Sequence, residues 1–250
     1  TEVADFAGRI AFTLANPVTI AAGETANVPI IDASLPAQRV WWVQDVSARF
    51  PIAALRLSNN TASTLPAALA TLYGGEGAET GAHLGDAQLA ALPPGETRLL
   101  GFARDRDVQL SSSTETTQRP IRVSQPRGRI VITNLRRETL SLAVDPRGRR
   151  GVLLVDMPRR DGWRPQFSIQ SQGDFGLRHE AALDGTRATI ALASESETET
   201  VIALWAFGPR PLSGLDWRGL NLEADAARLP GGPGSLERLR DALANLPENA

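Results

Sequence analysis

Apolar and polar residues alternate along much of this chain, in short runs that turn residues separate about every ten positions. In residues 54–58 the leucines point one way and the polar side chains the other. In residues 140–145, Leu140, Leu142 and Val144 form one apolar face. A period of two residues is typical of a strand with one buried face. The pattern predicts an all-β fold built from two immunoglobulin-like β-sandwich units.

The Asp184-Gly185 pair lies within residues 182–186, which precede an alternating run over residues 188–192. Asp-Gly favours a two-residue turn with positive φ angles, the turn that joins the strands of a β-hairpin. We therefore predict that these two stretches form a β-hairpin.

Two interruptions of the apolar pattern divide the chain into three predicted segments. Residues 111–117 are rich in Ser and Thr and have no apolar anchor, so we interpret them as a linker or a long hairpin tip, with an exposed strand of threonines as the alternative. After Phe207, Gly and Pro break the strand pattern. The predicted segments are a first sandwich unit over residues 1–117, a second over 118–210 and a C-terminal helical extension over 211–250.

The C-terminal extension carries leucines at helical spacing. Ser235 is a suitable N-cap, and the stripe that follows consists of Leu236, Leu239, Leu243 and Leu246. Spacings of three, four and three are typical of the seam between two helices. We therefore expect this helix to bind a protein partner or a second copy of the chain.

Trp41 and Trp42 are consecutive, and neighbouring side chains in a strand point to opposite faces of the sheet. Val40 shares the face of Trp42, so we predict that Trp42 lies in the core. Trp41 then lies on the far face, where we expect the second unit or the C-terminal segment to cover it. Trp41 is for this reason a candidate interaction residue.

The composition argues against several classes of function but does not identify the function. A formal net charge of −2 argues against a basic nucleic-acid binder, and the absence of cysteine excludes disulfides and cysteine-based zinc sites. The apolar runs are far shorter than the ~18–20 residues of a transmembrane helix, so we predict a soluble chain without a membrane span. The sequence begins at Thr1 rather than Met, and we expect a processed chain or fragment whose targeting segment lay upstream.

All 26 basic residues are arginine, and ten of them lie between residues 127 and 164 against four acidic residues. This local excess of positive charge suits a binding site for a polyanion such as an acidic glycan. The interpretation that we favour is a solvated face on which the arginines pair with Glu195, Glu197 and Glu199. The candidate polyanion-binding residues are Arg147, Arg149, Arg150, Arg159, Arg160 and Trp163.

No spaced catalytic motif occurs in the sequence. His83 and His179 have no second histidine at metal-ligand spacing, and nucleophile elbows, phosphate-binding loops and dinucleotide fingerprints are missing. We therefore predict no catalytic residue, no metal site and no cofactor.

Three aspartates form the one candidate for a metal site. Asp105 and Asp107 alternate with arginines in what the pattern predicts to be a charged strand, and together with Asp86 they are candidate calcium ligands. The interpretation that we favour is a solvated strand edge with ion pairs to Arg104 and Arg106.

Five sequence segments follow one another in an order that resembles a bacterial domain family of unknown function, typified by mucoidy inhibitor A. They cover about Pro17 to Phe207 and read PVTIAAGETANVPIIDASLPAQRVWWV, PIAALRLSNNTASTLPAALATLY, HLGDAQLAALPPGETRLLGFARDRDVQL, GRIVITNLRRETLSLAVDPRG and VLLVDMPRRDGW. The resemblance implies an exported, periplasmic or envelope-associated β protein, with a coiled-coil segment elsewhere in many members. It implies no catalytic residues.

Two functions follow from the sequence, and a third stays open. The first is a non-catalytic structural or protein-interaction module of a bacterial cell-envelope protein. The alternative is a binding module for an anionic glycan or other polyanion. A hydrolase is the third hypothesis, and it needs a cleft with paired carboxylates.

Overall fold

The protein is all-β. The structure, a computed structural model, describes residues 2–6, 9–13, 17–75, 79–124, 129–173, 175–203, 241, 244 and 245. No helix in this described part is long and apolar enough to span a membrane. The strands are β1 Glu2–Phe6, β2 Arg9–Thr13, β3 Ala37–Val43, β4 Ile52–Ser58, β5 Ala68–Tyr73, β6 His83–Leu89, β7 Thr97–Arg104, β8 Gln109–Ser124, β9 Arg129–Asp145, β10 Gly151–Met157, β11 Trp163–Pro165, β12 Ser171–Gly173, β13 Gly176–Leu183 and β14 Ala188–Ala203.

The chain forms two compact units that are not consecutive stretches of sequence. Unit 1 consists of Thr1–Ser111, Ala143–Met157 and Ile169–Ala188, and unit 2 consists of Ser112–Leu142, Pro158–Ser168 and Thr189–Ala250. The grouping therefore differs from the predicted segments, since residues 143–157 join the first part of the chain rather than the second. The sequence pattern cannot reveal this exchange because strand pairing is a long-range property.

Unit 1 contains a six-stranded sheet in the order β12-β13-β10-β3-β4-β7 and the two-stranded sheet β5-β6. Strand β3 lies inside the larger sheet, antiparallel to β4 and parallel to β10. Trp41 is thereby opposite Ala53 on one side and Leu153 on the other. A cluster of buried residues that includes Leu57, Ala87 and Leu100 joins β4, β6 and β7 into one core.

Most of the four-stranded sheet, in the order β11-β14-β9-β8, belongs to unit 2, while the first residues of β8 and the last residues of β9 are grouped with unit 1. The alternating face predicted for residues 140–145 is confirmed, because Leu140, Leu142 and Val144 of β9 are all buried. Residues 111–117 are neither a linker nor a hairpin tip. They lie within β8, so the exposed strand of threonines was the correct alternative, in keeping with the high β propensity of Thr.

The predicted hairpin at Asp184-Gly185 is wrong. Strand β13 belongs to the six-stranded sheet and β14 to the four-stranded sheet, so the two do not pair. The predicted turn type is absent as well, because Gly185 has a φ of 100° but Asp184 does not have a positive φ. The chain bends at residues 185–186 instead. The Gly185 carbonyl accepts a hydrogen bond of 3.1 Å from Gly148 N–H, in the turn between β9 and β10. Asp184-Gly185 thus marks a break between two strands that do not pair with each other.

The predicted C-terminal helix and its leucine stripe fall almost entirely outside the described residues. Only Asp241, Ala244 and Asn245 are described there. Leu236, Leu239 and Leu243, predicted to form an interaction surface, lie outside.

Candidate anion-binding cleft

The two consecutive tryptophans of β3 are both buried, with 7% of Trp41 and 8% of Trp42 exposed. Trp42 packs with Val40, Ala54 and Leu154 in one core cluster, which confirms the predicted face of Trp42. Both faces of the sheet are covered at this point, because Val40 and Val43 are buried as well. Each indole N–H must therefore find an acceptor inside the protein.

Trp41 donates its indole N–H to Asp105 Oδ2 at 2.9 Å. Arg149 donates from Nη1 to the same oxygen at 2.9 Å and from Nη2 to Asp107. We call these three residues, Trp41, Asp105 and Arg149, the Trp41 cluster. The Asp105 carboxylate is buried and the Arg149 side chain is 40% exposed, so the cluster connects the sheet interior to solvent.

The segment 105–107 is a bend after β7, not the predicted charged strand. Asp107 N–H donates to Asp105 Oδ1 at 3.0 Å, and Asp105 N–H donates to the Pro51 carbonyl at 3.0 Å. The interpretation of Asp105 as part of a solvated edge is therefore wrong. The arginine that pairs with Asp105 is Arg149, 44 positions away, rather than Arg104 or Arg106.

The turn after β9 presents Arg149 and Arg150. Asp145 Oδ1 accepts the Arg147 N–H, and this bond, with the hydrogen bond from the Arg187 guanidinium, lowers the pKa of Asp145 from its ordinary 3.8. Arg147 and Gly148 have φ angles of 48° and 83°, which give the turn its tight left-handed path. Arg150 donates from Nε to the Asp184 carbonyl at 3.0 Å.

These side chains surround a cleft of about 330 Å³ in unit 1. Trp41 is on its wall, and Gly151 approaches the indole so closely that a Cβ there would lie 2.8 Å from Cζ3. Three guanidinium groups and one carboxylate line the cleft, and Arg149 is also paired with Asp105 and Asp107. The lining residues are Arg39, Val40, Trp41, Glu79, Arg149, Arg150 and Gly151.

Trp42 has a matching arrangement on the other face of the sheet. Its indole N–H donates to Asp156 Oδ2 at 2.8 Å, and Arg178 binds Asp156 through two bonds of 2.7 Å, from Nε to Oδ1 and from Nη2 to Oδ2. We call Trp42, Asp156 and Arg178 the Trp42 cluster. Phe175 packs edge-on against the Trp42 ring, with 5.6 Å between centroids.

No family model, no curated protein and no solved structure matches this chain. The function of the cleft must therefore be argued from its geometry.

The candidate polyanion-binding residues fall into two groups. Arg147, Arg149 and Arg150 belong to unit 1, where the last two line the cleft together with the candidate interaction residue Trp41. Arg150 binds the Asp184 carbonyl, and Arg147 binds Asp145 through its backbone N–H. The cover of Trp41 includes Arg149 and Gly151, which lie inside the predicted second segment although the structure groups them with unit 1.

The other group, Arg159, Arg160 and Trp163, belongs to unit 2. Arg160 stacks over the Trp163 ring at 3.9 Å from its centroid and is paired with Glu138. Arg136, also paired with Glu138, approaches the same ring at 5.4 Å. Arg160 occupies a face of the ring on which a sugar would stack, so this group resembles a packing cluster more than a free surface.

The aspartates of the calcium hypothesis are not assembled into a site. Asp105 and Asp107 share Arg149, while Asp86 lies in β6 facing His83 at 3.6 Å. Among the described residues no three His, Cys, Asp or Glu side chains come together as a metal site would require. His83 and Asp86 are about half exposed on the β5-β6 face rather than enclosed in a cleft.

Sequence reasoning missed Arg39 and Glu79 as members of the cleft. They form an ion pair of 2.6 Å across 40 positions. Arg39 did carry a signal, because residues two apart in a strand share a face and Trp41 was already a candidate. No feature of the sequence indicated Glu79, because only folding brings this residue next to β3.

Proposed function

We propose that this protein is a non-catalytic binding module whose unit 1 cleft accepts an anionic group, such as a carboxylate or sulfate on an acidic glycan. The observation that carries the proposal is the convergence of Arg39, Arg149 and Arg150 on one cleft beside Trp41. Guanidinium groups bind carboxylates and sulfates through paired hydrogen bonds, so their convergence favours an anion. A volume of about 330 Å³ is at the small end for ligand sites and suits one residue of an acidic polymer.

The carboxylates that pair with the arginines of the cleft do not close it to a ligand. The Arg39–Glu79 pair is nearly half exposed on both sides, and Asp107 is more exposed still. Exposed ion pairs contribute only about 0–1 kcal/mol, so an incoming anion exchanges with Glu79 or Asp107 at little cost. Arg150 donates from Nε to the Asp184 carbonyl, and a guanidinium bound through Nε can still donate from its terminal nitrogens to a ligand.

The test compares binding of an acidic oligosaccharide, oligogalacturonate, with binding of a neutral dextran oligosaccharide by titration calorimetry. We expect Arg150→Gln to weaken oligogalacturonate binding about tenfold, since a charge-assisted hydrogen bond is lost, and added salt to weaken wild-type binding steeply. The matched control is Arg98→Gln, which removes a similarly exposed arginine of β7 outside the cleft.

Three outcomes would contradict the proposal. They are equal binding of both sugars, equal loss in Arg150→Gln and Arg98→Gln, and a loss confined to Arg159→Gln/Arg160→Gln. The third outcome would mean that the anion site lies in unit 2.

The wider role that we propose is a structural or protein-interaction module of a bacterial cell envelope. Its support is the resemblance to the family of mucoidy inhibitor A, together with the all-β architecture. Immunoglobulin-like sandwich units and a C-terminal helix that binds a partner belong to the same proposal. Fractionation of cells that express the full-length gene tests the location: recovery of the protein in the cytoplasmic fraction would contradict it.

A further inference from the structure

The outer strands of the two larger sheets differ in how they are protected. Strands β11 and β12 are only three residues long. Strand β7 lies against β6, where Gly85 comes so close that a Cβ would be 2.4 Å from the Phe102 carbonyl oxygen. Strand β8 is 16 residues long and, in the part of the chain that is described, has a strand neighbour only on the side of β9. Short and covered edges resist pairing with other chains, and long open ones invite it.

Strand β8 is exposed on both faces over residues 111–119. Its sequence there, SSSTETTQR, is rich in threonine, which favours the extended conformation, and it contains no glycine. A polar strand of this kind is not retained by burial of apolar side chains. What it offers to a partner is its row of backbone N–H and C=O groups.

Pro120 indicates which residues offer those groups. Proline in an edge strand is placed so that its missing N–H is on the solvent side. Backbone groups in a strand alternate between the two sides, so the even-numbered residues of β8, among them Thr116 and Gln118, direct their N–H and C=O outward. A partner strand must match this alternation.

We propose that two copies of this chain associate through β8, antiparallel, with Thr117 opposite its own symmetry mate. This register matches even residues with even residues and places Glu115 opposite Arg119 of the second copy, twice in the interface. Pairing Glu115 with Arg122 would match odd with even residues, which the alternation forbids. The charges thus select one register, and the inference goes beyond the anion cleft of unit 1.

The alternative partner for the β8 edge is the chain's own C-terminal segment. Gln118, Arg119 and Pro120 line a cleft of about 480 Å³ that Asp241 and Asn245 also line. If that segment satisfied β8, the chain would remain monomeric, and charge changes at Glu115 would not alter its mass in solution.

Sedimentation equilibrium of the full chain over a concentration series tests the proposal. Wild type is expected to dimerise reversibly. Glu115→Arg and Arg119→Glu each place like charges opposite one another and should raise the dimer dissociation constant about tenfold or more. The double variant Glu115→Arg/Arg119→Glu restores both pairs and should dimerise as wild type does.

Mixing the two single variants gives the sharpest readout. One copy then carries only arginine and the other only glutamate at these two positions, so their heterodimer is complementary and should form where neither homodimer does. Glu24→Arg, an exposed change in a unit 1 loop, is the control and should leave the dimer unchanged. A monomeric wild type, or a dimer that neither single variant weakens, would overturn the inference.

Discussion

The Trp41 and Trp42 clusters contain the same three residue types on opposite faces of one sheet, and they differ in access to solvent. In each, an indole N–H and an arginine share one buried aspartate oxygen. Arg178 is 13% exposed and gives both of its bonds to Asp156. Arg149 is 40% exposed and divides its bonds between Asp105 and Asp107.

The difference indicates separate roles for a shared arrangement. A bidentate pair enclosed by protein fixes a tryptophan in the core, because the indole N–H and both carboxylate oxygens have partners inside the protein. A divided pair at the surface keeps the indole satisfied and still presents a guanidinium to solvent. The Trp42 cluster is therefore a structural element, and the Trp41 cluster is a structural element that also forms the wall of a cleft.

Removing the aspartate charge should change the free energy of unfolding most, and by a different amount in each cluster. We expect Asp156→Asn to lower the free energy of unfolding by about 3 to 5 kcal/mol, because Arg178 is left as a buried charge without its partner. Asp105→Asn should cost only about 1 to 2 kcal/mol, since Arg149 keeps Asp107 and solvent. Urea denaturation followed by far-UV circular dichroism measures both.

A double variant checks the cause of the larger loss. Asp156→Asn/Arg178→Met removes both charges, and it should be more stable than Asp156→Asn alone because no unpaired ion remains. Equal losses for Asp156→Asn and Asp105→Asn would contradict the distinction between an enclosed and an open cluster.

Filling the space beside Trp41 is expected to have a smaller effect. Gly151→Ala puts a Cβ 2.8 Å from the indole Cζ3, so the ring or the start of β10 must shift. Overpacking of this kind costs about 1 to 3 kcal/mol. Because Gly151 lines the cleft, oligogalacturonate binding should weaken as well. Calorimetry measures the binding and urea denaturation the stability.

Gly75→Ala is the matched control, because a Cβ at Gly75 meets no atom within 4 Å and its φ is not positive. If Gly151→Ala proved as stable as Gly75→Ala and bound the sugar like wild type, Trp41 and the β10 backbone would not be in the contact described.

More of the strands than of the candidate site could be predicted from the sequence. Alternation predicted the buried faces at Trp42 and Leu142 because side-chain direction in a strand is local. It could not reveal that Asp105 is buried, since the acceptor of Trp41 comes from 64 positions away. The Arg-rich run correctly included Arg149 and Arg150, whereas their partners in the cleft, Arg39 and Glu79, meet them only through strand pairing. The local excess of arginine therefore identified Arg149 and Arg150 but neither Arg39 nor Glu79.

The smallest expected effect is a pH dependence in the turn that carries Arg149. The Arg147 N–H and then the Arg187 guanidinium lower the pKa of Asp145 below 3.8, so this carboxylate stabilises the turn at any pH above that value, and the contribution is lost as the pH falls through the lowered pKa.

NMR titration of the Asp145 side-chain carboxyl should show a midpoint below 3.8. Arg187→Gln should raise that midpoint without restoring the ordinary value, because the backbone bond, the larger cause, remains. Asp184 is the internal control: hydrogen bonds from the Thr186 hydroxyl and then from the Thr186 N–H lower its pKa, and Arg187→Gln should leave that midpoint nearly in place. A wild-type Asp145 that titrates at 3.8 or above would mean that its bonds to Arg147 and Arg187 do not persist in solution, and the turn would then hold Arg149 less firmly than the Trp42 cluster holds Arg178.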